Sequence, residues 1–538
     1  MAYMGFFKKI PLKVAHLPTV VLMVGYAMFW VELYILRAPF GKTSFSAWGL
    51  LGAATIGVLM GRWPGLRRLL AEAKKWWDAQ NRFKRSFVSL VGLLSLTILF
   101  VGLMASLLPP HLSQEYDSLN YHITVPRQHL IGGFFAHLTW SVADLFPLPL
   151  DFAMAPYSLI TPWPNKVAFS FFILGILGVA GQLAWRISGK NVWAGIAVLM
   201  AVLGAHGLSI QIGVAMFDLI MLYLFLAALD SFLTGNWLLA SIEFSFYFWS
   251  KSFIPIQVCV LGIILWIIFL IAKKGKWQIC SVWQPAKKMK IKKAAWGFVI
   301  SSLLIGGPFV VKSLYYTGTP IYPFYPGVLS SGSYRNTEMW PSVVERGNQL
   351  MDTRNQYGRG RGLKQFVEHF WVLAVPEEGV NNRFDYPLGL SYLLVLAPFG
   401  FLFLENLRNR RVDLAAWFCV LFWASWWFGS QQSRFLYVPL LMMSIIVLSD
   451  ERFLRKSMFF ALLVSLSFSC LSVVRAHQSD IFRKPAEVLR DKDRKLIERS
   501  ASVNRASLVR IDFEDAAFAD FAVDVVRPGS VFVFEQQE

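Results

Sequence analysis

The chain has 538 residues, 56% of them hydrophobic and only 16% charged, with a formal net charge of +19. That balance excludes an ordinary soluble globular protein, which needs far more polar residues to cover its surface. The Lys and Arg excess sits in short blocks beside apolar runs, the pattern of loops that flank membrane spans, so no nucleic-acid partner is expected.

A mean hydropathy of +0.49 and a 16% share of Phe, Trp and Tyr point the same way, because amphipathic rings favour the membrane–water interface. The four cysteines, Cys259, Cys280, Cys419 and Cys470, lack metal-ligand spacing and imply no disulfide framework. The opening MAYMGFFKKIPLK leads into an apolar run with no small-residue cleavage site, which predicts a retained first helix.

A spanning helix needs roughly 20 apolar residues. Runs of that kind predict an all-α polytopic membrane protein with about thirteen spans, at 18–36, 45–61, 86–108, 166–186, 191–209, 213–232, 237–250, 253–272, 295–312, 387–405, 412–428, 434–450 and 457–475. The run 237–250 is short and carries Glu243. Charge orients the stack. Segments 62–85 and 273–293 each carry eight Lys or Arg, and RNRR (408–411) and RFLRK (452–456) add more. If the spans alternate, all four lie on one side, the cytoplasmic side by the positive-inside rule. The loops 109–165 and 313–386 and the tail 476–538 then lie outside. The tail reads as a small α/β appendage, with strand-like SLVRIDF and SVFVF around EDAAFADFAVDVV.

Loop 109–165 is too apolar and aromatic for an idle solvated loop. Leu119, Ile123, Leu130 and Ile131 interleave with polar residues and Pro126 interrupts the run, which predicts two short amphipathic helices lying flat on the outer leaflet. Glu115 and Asp117 stand beside a span end, where a carboxylate can act as general base or simply as a helix cap. Four of the eight histidines lie here, His111, His122, His129 and His137. His122 and His129 share a face if the helix is continuous, but no metal is predicted.

Charged groups within a bilayer usually face a cavity or a partner. By the alternation, Asp218, Lys251, Lys312 and Arg434 all fall near the outer side. Bases there suit a phosphate or pyrophosphate, and the alternative for Lys312 and Arg434 is snorkelling to the interface.

These residues resemble a known family. YDSLNYHITVPRQHLIGG, with Tyr116-Asp117, Tyr121-His122 and Pro126-Arg127, resembles the first outer loop of the GT-C glycosyltransferases, whose relatives include protein O-mannosyltransferases and bacterial aminoarabinose transferases. FDLIMLYLFLAALD resembles the family's Asp-Leu helix and FWSKS its Lys-bearing helix. TGTPIYPFYP resembles a Gly-Asn-Pro turn with Thr319 in place of Asn, and SRFLYVPLLMM resembles the late Arg-Tyr/Phe-Leu helix. The resemblance spans roughly residues 86–450. It implies a sugar donor linked to polyprenyl phosphate, an acidic base in the first outer loop, inversion at the anomeric carbon, and no cofactor. Carried over, Asp117 is the base, with Glu115 and Asp218 as secondary acids. Arg127, Lys251 and Arg434 hold the donor phosphate, and Tyr121 and His122 bind substrate. The family's catalytic loop follows its first helix and here follows the third, so residues 1–85 read as an added hairpin ahead of a catalytic domain at 86–475. Its mannosyltransferases often carry adjacent acids, whereas Tyr116 separates Glu115 from Asp117. The family subset implies a bacterial inner membrane with a periplasmic site, the charge pattern places the N-terminus in the cytoplasm, and the acceptor is left open among glycolipid, glycan and protein. Two other classes compete: a flippase for a lipid-linked glycan, with polar residues reaching both faces, and a scaffold displaying the tail.

Overall fold

The computed structural model describes residues 14–31, 73–107, 142–158, 166–280, 291–325, 360–374 and 386–482, with scattered positions between them that include Asp117, 121–123 and His129. The predicted run 45–61, most of the predicted flat helices, Glu115, Arg127, His111, His137 and the tail beyond 482 lie outside the described residues.

The described chain is almost wholly helical. In order it forms α1 (Leu17–Trp30), α2 (Arg82–Ser106), α3 (Pro149–Ser158), α4 (Phe172–Ile187), α5 (Val192–Gly204), α6 (Asp218–Leu233), α7 (Trp237–Phe248), α8 (Ile254–Lys274), α9 (Ile291–Thr317), α10 (Leu363–Val372), α11 (Leu390–Arg408), α12 (Leu414–Phe428), α13 (Tyr437–Leu448) and α14 (Lys456–Phe482). Every predicted apolar run within the described residues falls on one of these helices. Local signals set several starts. Asn81 accepts from the Lys84 N–H ahead of α2, Asn191 from Trp193 ahead of α5, and Asp413 from Ala415 ahead of α12, each satisfying an N–H that has no partner inside its helix.

The helices wrap a common core. α13 is buried along its whole length and α6 nearly so. The outside is as apolar as the inside. Leu93, Leu96 and Phe100 on α2, Ile263, Trp266 and Ile271 on α8, and Leu303 and Leu304 on α9 are all exposed. Large contiguous apolar surfaces do not survive in water, and helices satisfy their own backbone groups in hydrocarbon. The chain is therefore a multi-pass α-helical membrane protein. Among the described residues six helices are long and apolar enough to cross a bilayer, or seven if α5 and the following His206–Gly213 segment, bent by 72°, form one span. The sequence predicts one uninterrupted run at 191–209, and the bend is the main departure within the bundle. At the break, Gly207 donates its N–H to the Pro387 carbonyl at 2.9 Å. A Cβ at Gly207 would lie 2.6 Å from that same oxygen, so the loop before α11 can seat against the bend only at a glycine.

α1 is integral to the bundle. It packs on α3 and α4, and Tyr157 of α3 donates to its Val21 carbonyl at 2.8 Å. The residues ahead of position 86, read from sequence as an added hairpin, thus supply a core helix.

Contacts gather the basic segments at one end. A short parallel pair, β1 (Gln278–Cys280) with β2 (Arg411–Asp413), joins the 273–293 stretch to RNRR. Arg452 meets Glu405 of α11 at 3.0 Å, which brings RFLRK to the same place. Trp76 and Lys84 lie against Trp193, which also touches Phe459.

Candidate functional site

At the opposite end, four segments far apart in sequence converge. α6 begins with Asp218, placed where an acid complements the positive end of the helix dipole. Lys251 sits in the turn between α7 and α8, and its Nζ donates to Asp218 Oδ1 at 2.9 Å. Arg434 belongs to the 3-10 turn Ser433–Leu436 ahead of α13. Ser433 anchors that turn by bonds to the Phe384 and Tyr386 carbonyls. Arg434 Nη1 reaches Asp117 Oδ2 at 3.1 Å and lies 3.8 Å from Asp218 Oδ2. Phe435 underlies both cations, with Lys251 Nζ 4.6 Å and the guanidinium carbon 5.6 Å from its ring centre, a favourable quadrupole contact. Beside Asp218 and Arg434 lies a small cavity of about 10 Å³, walled mainly by Met221, Tyr247, Phe422 and Val438.

Tyr121, His122 and Asp151 complete the cluster. The His122 ring lies between Tyr121, at 4.1 Å, and Phe217, at 4.3 Å. Its Nδ1 meets Asp151 Oδ1 at 2.6 Å. Burial, then the Lys251 and Arg434 charges, push His122 well below the ordinary imidazole range, so the ring is neutral. Burial raises the Asp151 carboxyl, and Lys251 works against that rise.

Of the residues singled out from sequence, Asp117, Tyr121, His122, Asp218, Lys251 and Arg434 come together. Lys312 does not join them. It is 2% exposed, so it does not snorkel, and it sits between Asp144 and His129 in a second closed cluster. Asp144 also accepts from the Leu138 N–H at 2.9 Å. Asp151 is the site residue that sequence reasoning missed. It lies in PLPLDFAMAPY, and its one sequence signal is a lone acid in an otherwise apolar stretch.

A third polar cluster lies toward the basic end. His16 bridges Glu243 at 2.8 Å and Asp230 at 3.1 Å. Arg186 meets the other Asp230 oxygen at 2.8 Å, and Thr19 and Ser231 donate to Glu243. Glu243, which made the short run 237–250 doubtful as a span, is thus satisfied within the bundle. Among the described residues no group of three or more His, Cys, Asp or Glu is arranged to hold a metal ion.

No family model matches the chain, and neither the curated proteins nor the solved structures contain a match.

Proposed function

We propose that this chain is an inverting GT-C-type glycosyltransferase that moves a sugar from polyprenyl phosphate to an acceptor hydroxyl on the outer, periplasmic face of a bacterial inner membrane. On this reading about thirteen spans cross the bilayer, the N-terminus is cytoplasmic, and residues 86–475 form the catalytic domain. The observation that carries it is the convergence of Asp117, Asp218, Lys251 and Arg434 at the end away from the basic segments. Those four are among the residues that the family resemblance names. Two cations at one site, Lys251 and Arg434, suit a lipid phosphate. The phosphate leaves once its charge is stabilised, which preorganised cations do in a site of low dielectric. Asp117 is the carboxylate that the resemblance names as base. Arg127 and Glu115 keep the phosphate-binding and secondary-acid roles it gives them.

The test is transfer of labelled sugar from a panel of polyprenyl-phosphate sugars into membrane extract, by purified wild type and Asp117→Asn. The expected outcome is label in product with wild type and a loss of about 100-fold or more in the variant. Full activity of a folded Asp117→Asn would remove Asp117 from the chemistry.

One observation favours the flippase reading: a second buried charged cluster, His16, Asp230, Glu243 and Arg186, lies toward the other end. It is charge-balanced and internally bonded, unlike a site that must release its cargo. Movement of labelled donor across vesicles without acceptor would favour transport over transfer.

A further inference from the structure

Two histidine–aspartate pairs join the same two segments of the outer loop, His122 to Asp151 and His129 to Asp144, with a seven-residue step on each segment. The pairs differ in one respect. At His129 both ring nitrogens are taken, Nδ1 by the Gly133 carbonyl at 3.0 Å and Nε2 by Asp144 and the Lys312 ammonium. At His122 only Nδ1 is taken, and Nε2 has no partner among the described residues. Asp151 Oδ2 is likewise buried without a partner. Buried polar groups are normally satisfied, and a loose end beside a charged site asks for a ligand. The His129 pair is a structural clasp that serves as an internal comparison. The His122 pair has the arrangement of an oriented proton acceptor, with a carboxylate fixing one nitrogen and the other left open.

We infer that His122, held by Asp151, is the group that carries the proton away from the acceptor nucleophile. This rests on the transfer reading above and adds one catalytic and one positioning residue to the same site. A neutral ring that donates Nδ1–H to Asp151 presents a lone pair at Nε2, which can take a proton from the protonated Asp117. In the transfer step the acceptor O–H bond breaks, its proton goes to the Asp117 carboxylate, and Asp117 then passes it to Nε2. The oxygen bonds to the anomeric carbon, and the anomeric C–O bond breaks with its electron pair going to the phosphate, opposite Lys251 and Arg434. Asp117 keeps its place as the base that touches the hydroxyl. Asp151 stabilises the imidazolium that forms, and the proton then leaves to water.

The charged and titratable groups around the ring are Asp117, Tyr121, Asp151, Asp218, Lys251 and Arg434. Burial and the cations keep the imidazole neutral, with the Nε2 lone pair unprotonated at neutral pH. Activity therefore falls toward acid as the ring protonates. Removing the Asp151 carboxylate makes the ring still harder to protonate and moves that acid limb to lower pH.

The experiment is the transfer assay on the full chain across pH, with Asp151→Asn, His122→Gln, the double variant and Asp144→Asn, each checked for folding by thermal unfolding in detergent. Asp151→Asn is expected to lower kcat by about 100-fold or more, with donor KM within about threefold and the acid limb moved down. His122→Gln is expected to lose a similar factor together with the limb. The double variant is expected to be no worse than His122→Gln, since the pair acts as a unit. Asp144→Asn is expected to melt earlier yet keep the limb in place. A folded Asp151→Asn with wild-type kcat and an unmoved limb would overturn the inference alone, as would losses that multiply in the double variant. If Asp151→Asn does not fold, a His122→Gln that keeps the limb overturns it. A wild type that transfers from no donor overturns the transfer reading and this inference together.

Discussion

Arg434 faces two carboxylates with one guanidinium. Asp117 takes Nη1 at 3.1 Å, and Asp218, already held by Lys251, stands 3.8 Å off. Each cation is therefore answered by an acid. On the transfer reading a donor phosphate has to compete with Asp117 for Arg434, and in winning it releases the Asp117 carboxylate toward the acceptor. Asp117→Asn removes the competitor while keeping the shape. The variant is expected to bind polyprenyl phosphate about threefold or more tighter than wild type, a gain on the order of 0.7 kcal/mol, even as it loses transfer. Equilibrium binding of labelled polyprenyl phosphate in detergent checks this, and unchanged or weaker binding contradicts the competition. Lys312 makes the opposite kind of pair. It is buried against Asp144 and His129. Breaking one partner of a buried ion pair costs about 3–5 kcal/mol because the other charge is stranded. Lys312→Met is expected to lower the unfolding temperature sharply, and Asp144→Asn in the same chain to restore part of it. A melting curve unchanged by Lys312→Met would mean that the pair carries no structural load.

The elements were far more legible from sequence than the pairings between them. An apolar run announces a membrane helix by itself, because the bilayer demands about 20 such residues wherever they fall. Asp218, Lys251 and Arg434 could be assigned to one end because charge is rare in such runs and alternation gives each a depth. Asp151 carried no comparable signal, since its meaning comes from His122, which only the fold brings to 2.6 Å. The same holds for His16, Asp230 and Glu243, drawn from three helices to fasten α1 into the bundle. The bend after α5 was hidden for a related reason: glycine is ordinary in membrane helices, and the need for Gly207 becomes visible only once Pro387 is against it.

Gly358 shows how such a contact reaches the site. Its φ is +89°, and a Cβ there would lie 1.8 Å from Gln431 Oε1. Gln431 donates to the Gly360 carbonyl at 3.1 Å, and Arg361 grips the Gly429 carbonyl at 3.0 Å. The segment leading into α10 thus braces the turn that presents Arg434. Gly358→Ala pays a left-handed backbone penalty of roughly 1–2 kcal/mol and must push Gln431 aside. It is expected to weaken polyprenyl phosphate binding several-fold while the bundle stays folded. Binding equal to wild type would show that the brace does not reach Arg434.

At the scale of the whole molecule the argument turns on which end faces the cytoplasm. The segments rich in Lys and Arg meet at one end through the β1–β2 pair, the Arg452 bridge to Glu405 and the aromatic contacts around Trp193. The charged cluster of Asp117, Asp218, Lys251 and Arg434 occupies the other. Lys and Arg flanking spans are retained on the cytoplasmic side, so the cluster should face outward, where a lipid-linked sugar presents its phosphate at headgroup depth. Single cysteines placed at Glu451 and at Leu363, both exposed, separate the two orientations, provided the native Cys259, Cys280, Cys419 and Cys470 are first replaced by serine or alanine. In intact cells an impermeant thiol reagent is expected to label Leu363→Cys, and to label Glu451→Cys only after the membrane is opened. The reverse pattern would turn the site toward the cytoplasm. There a soluble nucleotide-activated sugar becomes the natural donor, and the transfer reading would have to give up its lipid substrate even if every contact within the cluster stood.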